Sequence, residues 1–417
     1  MQILLKRRIR GIVKALQSAG KHRLARCIEQ NWYKTCVAYS KELNFWRPKR
    51  PLEKELLNAF DRELERLEIT DPLKKEVLHS LQKRRVLQTT PHLGATEGPR
   101  FFCINWLGSL GVPEKDFYVV GMYSGIPFSN HTRPGRINRK SDGANLFPST
   151  LQDALVYRSV IPPKLSEAMD KLPKKVSQYF PYARPGESYT KWALQTCQHI
   201  EQQVLGKRNL VYLDINEVVS EYLTQILQNH RHILHKIFFN PKIRREFVDT
   251  FPKEIMFYSP VQHGKYEEME NFFLDDNVLR SRSRQIPLRD PETLVRELRE
   301  NRLCPALLPG FLVLAFLNQF KCFGSFAQVE YLPVYQEKLS RLSFLRTFKI
   351  ESVAASNLTT GFFPGGENLY PLDILVASKK FKPDKNLLFG ELLADMKDAL
   401  LGSYFTGNLK NSHETRK

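Results

Sequence analysis

The sequence predicts a doubly wound α/β protein with a parallel sheet core, an N-terminal helical segment and helical insertions. Apolar strand-like segments alternate with helical segments in the middle of the chain, and glycine-rich or polar loops follow those strand-like segments. Strands that alternate with helices form parallel sheets, and ligands bind outside the carboxyl ends of such strands. We expect residues 1–85 to form the helical segment, 86–342 the core with a helical insertion at about 151–208, and 343–417 a C-terminal segment.

The segment before residue 86 is expected to be helical. Apolar residues recur at helical spacing from Leu4 to Leu16, and a second amphipathic pattern runs from Pro51 to Leu67. The first helix is basic and could lie on an anionic membrane. Because its apolar stripe is short and lacks Trp and Phe, packing on the core is the favoured interpretation.

Three strands are predicted, at residues 85–90, 116–122 and 209–214. The second is a near-continuous apolar run, which is typical of a strand that is buried on both faces of a parallel sheet. The most apolar segment of the chain, 307–320, is predicted to be a core helix. A glycine break and a second helix are expected to follow it.

Composition limits the class of protein. Hydrophobic residues make up 42% of the chain and aromatic residues 11%, which favours a packed interior over disorder. The six cysteines include no Cys-x-x-Cys pair, so neither disulfides nor structural zinc are expected. No apolar run reaches the roughly 18–20 residues that cross a bilayer, and no secretion signal is recognisable. These features predict a cytoplasmic protein without a transmembrane segment.

The charge balance raises three kinds of anionic partner. Lys and Arg total 63 against 44 Asp and Glu, a formal net charge of +19. Nucleic acid, an anionic membrane surface and a phosphorylated substrate all fit this excess. Because the basic residues form several separated clusters, a solvated basic surface is favoured over a dedicated polynucleotide groove. Nucleic-acid binding stays open but is not favoured.

The loop after the first strand is the first candidate site and contains Thr90, His92, Gly94 and Gly98. Glycines let backbone amides approach an anion, and the amino end of the helix that follows favours negative charge. His92 could donate to a phosphate or carboxylate, or act as an acid or base. The alternative is a turn histidine that caps a helix, and the spacing matches neither common phosphate-loop motif.

The loop after the second strand is the second candidate site, with Ser124, His131, Arg133 and Arg136. Two guanidinium groups beside a histidine suit carboxylate or phosphate recognition, because arginine binds such groups with two hydrogen bonds. A solvated basic loop is the alternative. Asp214 ends the third strand, where helix capping is at least as well supported as catalysis.

Two other chemistries are disfavoured. A metal site would need His92, His131 and His263 to come together from separate segments, so no metal is predicted. Ser124 lacks the Gly-x-Ser-x-Gly turn that exposes the nucleophile of many hydrolases.

At these loops the chain resembles the bacillithiol-biosynthesis cysteine-adding enzymes. Residues 89–94 and 98–99 are similar to the family's Thr-Gly-(His/Gln)-Gln-x-Gly-Leu-x-x-Gly-Pro loop, and residues 210–214 to its Val-Phe-Ile-Asp strand. Residues 303–305 through 323–331 are similar to its Arg-Pro-x-x-Gln-x-x-x-Leu-Pro segment, which runs into a Gly-Gly-Pro-x-Glu-Ile-Ala-Tyr turn. The order and rough spacing of these motifs agree over about residues 86–342. Where the family has Glu-Asp-His-Asp, this chain has Ser-Asn-His-Thr-Arg.

The resemblance implies a Rossmann-like core and a reaction that attaches cysteine to an amino-sugar malate conjugate. Our leading hypothesis is an enzyme that forms an amide bond or transfers an aminoacyl group. The loop of His92 and Gly94 would hold a phosphate or carboxylate, His131 would serve as the acid or base, and Arg133 and Arg136 would clamp the anion. Binding and positioning would then provide most of the rate enhancement.

The same resemblance assigns substrate binding to Gly324, Ser325 and Gln328. ATP is the candidate cofactor, an anionic or nucleotide-bearing small molecule and an amino acid are the candidate partners, and a homodimer is the candidate assembly. The competing hypothesis is a basic non-catalytic or RNA-binding protein that kept the fold.

Overall fold

Two β-sheets and the helices around them make up the protein. The computed structural model describes residues 2–140, 143–170, 172–345 and 357–396. The helices are α1 (Gln2–Ser18), α2 (His22–Asn31), α3 (Cys36–Asn44), α4 (Lys54–Arg66), α5 (Leu73–Arg84), α6 (Pro99–Ser109), α7 (Pro163–Asp170), α8 (Lys174–Ser177), α9 (Tyr189–Leu205), α10 (Ile215–Ile226), α11 (Ile233–Phe239), α12 (Pro241–Thr250), α13 (Pro291–Arg299), α14 (Leu307–Phe311), α15 (Phe326–Arg341), α16 (Pro371–Val376) and α17 (Phe389–Leu393). The strands are β1 (Val86–Gln88), β2 (Tyr118–Met122), β3 (Leu210–Asp214), β4 (Ile255–His263), β5 (Tyr266–Leu274), β6 (Val278–Arg280), β7 (Gln285–Pro287), β8 (Cys304–Pro305) and β9 (Lys321–Phe323).

The first sheet has four parallel strands in the order β3-β2-β1-β9. All residues of β1, β2 and β3 are buried, as the apolar run in β2 predicts for a sheet that is covered on both faces. Helix α6 follows β1 and helix α10 follows β3. The expected α/β class with a parallel sheet is therefore confirmed, and the carboxyl ends of all four strands lie at one edge.

The fourth strand of this sheet was not predicted from the sequence. The apolar segment contains α14 and a π-helical turn at Leu312–Leu317, as expected of a helix, but β9 then pairs with β1 before α15 begins. Three residues are too few for a strand periodicity to be recognised, and the pairing of β9 with β1 joins residues far apart in the sequence.

The second sheet was also missing from the sequence-based expectations. Its five strands are antiparallel in the order β7-β6-β5-β4-β8. Strands β4 and β5 form a hairpin in which His263 pairs with Tyr266, and Gly264 has a positive φ of 60°. The turn therefore suits glycine, but it lacks the Asn-Gly or Asp-Gly signal that identifies many hairpins.

The two predicted N-terminal helices are present as α1 and α4. The apolar stripe of α1 is buried, and α1 contacts α2 and α17. Helix α4 packs against α10, which places it beside the carboxyl end of β3. Within the described ranges, every helix is too short or too polar to span a bilayer.

The turn between α6 and β2 fits closely against α3. The Gly111 N–H donates to Ser40 Oγ at 2.8 Å, and Ser40 Oγ donates to the Gly108 carbonyl at 3.0 Å. A Cβ atom at Gly111 would lie 2.5 Å from the carbonyl carbon and oxygen of Ser40 and 2.6 Å from the Lys41 nitrogen. Because these are backbone atoms, they cannot rotate away.

We expect Gly111→Ala to lower the free energy of unfolding by about 1–3 kcal/mol, the range for an overpacked interior site. Gly11→Ala is the matched control, since Gly11 lies inside α1 with no atom near its added methyl group. Alanine has the higher helix propensity, so this variant should gain up to about 1 kcal/mol. Urea unfolding of both variants measures the difference, and equal shifts in the two variants would contradict the close packing of Gly111.

Candidate active site at the carboxyl edge of the parallel sheet

Backbone hydrogen bonds join the loops that follow β1, β2 and β9. The Leu93 N–H donates to the Tyr123 carbonyl at 2.8 Å, and the Tyr123 N–H donates to the Pro91 carbonyl at 3.1 Å. The Thr89 N–H donates to the Phe323 carbonyl at 3.0 Å. The two loops that the sequence singles out are therefore held side by side at one edge of the sheet.

His92 and His131 lie together at this edge. Their ring centroids are 5.8 Å apart and the rings are steeply inclined at 63°. His92 Nδ1 is 3.2 Å from Asn130 Oδ1, and the same oxygen accepts from the Thr132 N–H at 3.1 Å. Because this oxygen is an acceptor, Nδ1 of neutral His92 carries the proton and Nε2 carries the lone pair. The arrangement leaves His92 able to accept a proton at Nε2.

Both histidines are held in the neutral form. Burial lowers the pKa of His92, and the positive charge of Arg100 lowers it further, while the Asn130 hydrogen bond acts in the opposite direction. The pKa of His131 falls to about 4 because of burial, because the two neighbouring rings disfavour carrying charge together, and because Arg100 is positive, although His131 still faces solvent on one side. At neutral pH each ring is thus uncharged and able to take up a proton.

A cavity of about 380 Å³ opens beside His131. It is lined by Phe128, Ser129, Asn130, His131, Arg133, Gly135, Arg136, Asn145, Phe147, Pro148, Ser149 and Gln152. None of these described lining residues is acidic. In the part of the chain that the structure describes, neither Arg133 nor Arg136 has a carboxylate partner, and Arg136 makes one long hydrogen bond to the Gly143 carbonyl. The cavity therefore carries uncompensated positive charge and suits an anionic ligand.

Two helices point uncapped amino ends towards this edge. Helix α6 starts after Gly98 and α15 after Ser325, and neither of these N-cap residues makes a side-chain capping hydrogen bond. Arg100, in the first turn of α6, stacks over the rings of Phe101 and Phe326 at 5.1 and 5.2 Å. The sequence did not identify Arg100, because nothing local shows that its charge reaches both histidines. The start of a helix carries a partial positive charge, which favours an anion.

Ser124 and Asp214 support the second loop from beneath rather than lining the cavity. Both are fully buried. Asp214 accepts from the Asn216 N–H at 2.9 Å and so caps α10, the alternative that the sequence left open. Asn216 Oδ1 in turn accepts the N–H groups of Ser124 and Gly125 at 2.9 and 3.0 Å. Asn216 therefore holds the start of the loop that carries His131.

A buried network of charges surrounds Asp214. Glu63 accepts the Asp214 N–H at 2.9 Å and pairs with Arg66 at 2.7 Å, and Arg158 binds both oxygens of Glu217 at 2.6–2.9 Å. Burial, Glu217 and Glu63 together raise the pKa of Asp214 to about 7. These residues come from three distant segments, so sequence spacing gave no sign of the network. The network fixes α4 and α10 against the end of β3.

The remaining predicted residues lie at the same edge but are packed inward. Gln328 accepts from Thr89 Oγ1 at 3.1 Å and donates to the Cys322 carbonyl at 3.2 Å. Its side chain fills the space beside Gly324, where a Cβ atom would lie 2.4 Å from Gln328 Cδ. Gln328 thus shapes the turn and does not face the cavity. Thr90 is buried, and its hydroxyl has no hydrogen-bond partner among the described residues.

Two buried carboxyl groups lie under the glycine loop, and the sequence pointed to neither. Glu97 belongs to the loop itself and Glu201 to α9. Tyr212 Oη donates to Glu201 Oε2 at 2.5 Å, and Asn105 Nδ2 donates to it at 3.1 Å. Burial raises the pKa of Glu97 well above its usual range and that of Glu201 to about 8. Neither has a basic partner in the described structure, so both are neutral at pH 7.

Within the described ranges, no three His, Cys, Asp or Glu side chains are close enough together to hold a metal ion. Three histidines were candidates for such a site. His92 and His131 lie together in these loops, whereas His263 ends β4 in the second sheet.

We expect Glu201→Gln to become progressively more stable than the wild type as the pH rises from about 4.5 to about 8. Over this window the unfolded carboxyl ionises while the folded one stays protonated, so the wild-type protein loses stability with rising pH, by about 1 kcal/mol per pH unit. Glutamine cannot ionise and removes this loss. Urea unfolding at several pH values measures it. The exposed Glu114→Gln serves as the control, and parallel profiles for wild type and Glu201→Gln would contradict a neutral Glu201.

No protein-family model matches the chain, and no curated protein is significantly similar to it.

Proposed function

We propose that the protein is an enzyme that forms an amide bond, or transfers an aminoacyl group, on an anionic or nucleotide-bearing small molecule. The observation that carries this proposal is that His131, Arg133 and Arg136 line one cavity, with the ring of His92 packed against that of His131. The resemblance to the bacillithiol-biosynthesis cysteine-adding enzymes suggests the class of reaction.

A Rossmann-like core is part of the proposal. The order β3-β2-β1-β9 corresponds to the 3-2-1 half of that fold joined by the first strand of the other half, with the order reversing between β1 and β9. Ligands of such sheets bind at the reversal point, outside the carboxyl ends of the strands. The His92 loop follows β1 and the amino end of α15 follows β9, so the proposed site flanks this point.

The cavity lining suits a nucleotide or a similar anion. Phe147 is partly exposed and offers a ring face for stacking, while Arg133 and Arg136 suit phosphate groups. A bound nucleoside triphosphate would supply the activation of a carboxyl group. The residues of this chain would hold its phosphates, orient the acyl group and exclude water.

The neutral histidines suit the proton transfers of acyl transfer. An attacking amine must lose a proton as its nitrogen bonds to the acyl carbon, and Nε2 of His92 carries a lone pair that can accept it. His131 is a second candidate base, and whichever histidine takes up the proton becomes an imidazolium that can return it to the departing group. The uncapped N–H groups of α6 and the charge of Arg100 would stabilise the oxyanion that forms between these steps.

Removing the two cavity arginines should weaken anion binding strongly. We expect Arg133→Gln with Arg136→Gln to weaken ATP or pyrophosphate binding by about a hundredfold or more, because each of the two charge-assisted contacts is worth about 1.5–3 kcal/mol and every 1.4 kcal/mol is a factor of ten. Isothermal titration calorimetry measures the affinity, and the exposed Arg289→Gln is the matched control. Equal loss in the control would contradict a specific site. Salt-sensitive RNA binding that displaces these anions would instead favour the RNA-binding alternative.

Anion binding should also raise the pKa of His131. A bound anion stabilises the imidazolium, so binding takes up a proton and affinity rises as the pH falls from about 6.5 towards 4. Sulfate is the suitable probe because its own charge is constant over this range. Titration at several pH values should show this slope for the wild type and a flat profile for His131→Asn. The same slope in His131→Asn would show that His131 does not contact the anion.

A further inference from the structure

Helix α1 presents two different stripes. Its inner stripe is buried in the protein core and comprises Leu5, Ile9, Ile12 and Leu16. Its outer stripe has the same spacing of four, three and four residues and comprises Ile3, Arg7, Arg10 and Lys14. Residues at this spacing share one face of a helix. The packing of the inner stripe therefore leaves a continuous basic face with an apolar start exposed to solvent.

The first turn of α1 exposes more apolar surface than a solvated helix needs. Ile3 is 87% exposed and Leu4 is 59% exposed, and they are adjacent in the sequence. The helix contains five basic residues and no acidic one. Arg8 forms an ion pair with Asp395 at 3.5 Å, whereas the other four basic residues of α1 form no ion pair with any described residue.

We propose that the outer face of α1 binds an anionic membrane surface. Ile3 and Leu4 would enter the boundary between headgroups and acyl chains, and Arg7, Arg10 and Lys14 would contact the anionic headgroups. A basic helix face with an apolar edge is the arrangement that binds in the plane of such a surface. This inference stands apart from the proposed catalytic function, since it uses none of the residues at the sheet edge.

Charge and hydrophobicity together favour a membrane over two other partners. A polynucleotide would satisfy Arg7, Arg10 and Lys14 but would leave Ile3 and Leu4 in water. A second copy of the chain would bring two uniformly basic helices together, and like charges repel. An anionic bilayer satisfies both the basic stripe and the apolar first turn.

The inner stripe sets the orientation of the proposed contact. Because Leu5, Ile9 and Ile12 hold α1 on the protein along its length, the helix would lie flat on the membrane without leaving the fold. Its contact with α17 and the pair between Arg8 and Asp395 would stay intact. Binding would therefore attach the whole protein peripherally.

Cosedimentation of the full chain with vesicles tests the proposal. Phosphatidylcholine vesicles with phosphatidylserine should bind the protein, pure phosphatidylcholine vesicles should not, and added salt should weaken the binding. The triple variant Arg7→Gln, Arg10→Gln, Lys14→Gln should bind roughly a hundredfold more weakly. The double variant Ile3→Ser, Leu4→Ser should bind roughly tenfold more weakly and keep the salt dependence.

A control variant with the same change in charge makes the test specific. Lys174→Gln, Lys175→Gln and Lys242→Gln alter exposed residues on α8 and α12 and should leave vesicle binding unchanged. Equal weakening in this control would show that net charge alone is responsible and would overturn the proposal. So would wild-type protein that fails to bind anionic vesicles at low salt, RNA binding that is lost in the α1 triple variant, or a dimer that dissociates in Ile3→Ser, Leu4→Ser.

Discussion

The parallel pairing of β1 with β2 on one side and with β9 on the other determines where every candidate residue of the site lies. Because all four strands run in the same direction, their carboxyl ends meet at one edge and their loops become neighbours. His92 then lies beside Asn130, and α6 and α15 begin close enough for Arg100 to stack on Phe326. If β9 paired elsewhere, the two histidines could stay together, but the amino end of α15 would be lost from the site.

Burial is the second factor on which this edge depends, because it sets the protonation states of the titratable groups there. It holds His92 and His131 in the neutral form, and it keeps the carboxyl groups of Glu97 and Glu201 protonated. The chemical result differs with the type of group. A neutral histidine at the surface of a cavity can accept a proton, whereas a protonated carboxyl under the glycine loop acts as a packed hydrogen-bonding group. Among the described residues, the cavity lining therefore carries no carboxylate, and the two carboxyl groups beneath this edge are neutral.

The sequence predicted the long elements and the position of the edge, because apolar runs and helical periodicity are local signals. It could not predict β9, which is three residues long and depends on pairing with β1. The same limit applies to single side chains. Gln328 was expected to bind substrate, yet its packing against Gly324 turns it inward, and Arg100 and Glu201 gain their importance only from neighbours distant in the sequence. Contacts across the fold, which composition and spacing do not encode, decide these roles.

The distribution of acidic groups makes the surface more positive than composition alone suggests. The formal charge of +19 counts every carboxyl as ionised, but Glu97 and Glu201 are neutral at pH 7. Other carboxylates, including those of Glu63 and Glu217, are buried in ion pairs with arginines. Each such pair is neutral and leaves the positive excess on the rest of the protein unchanged. The cavity beside His131 and the outer face of α1 are two places where this excess is exposed without a carboxylate partner. An anion is the ligand that both surfaces would stabilise most, although the first is a concave pocket and the second a flat, partly apolar face.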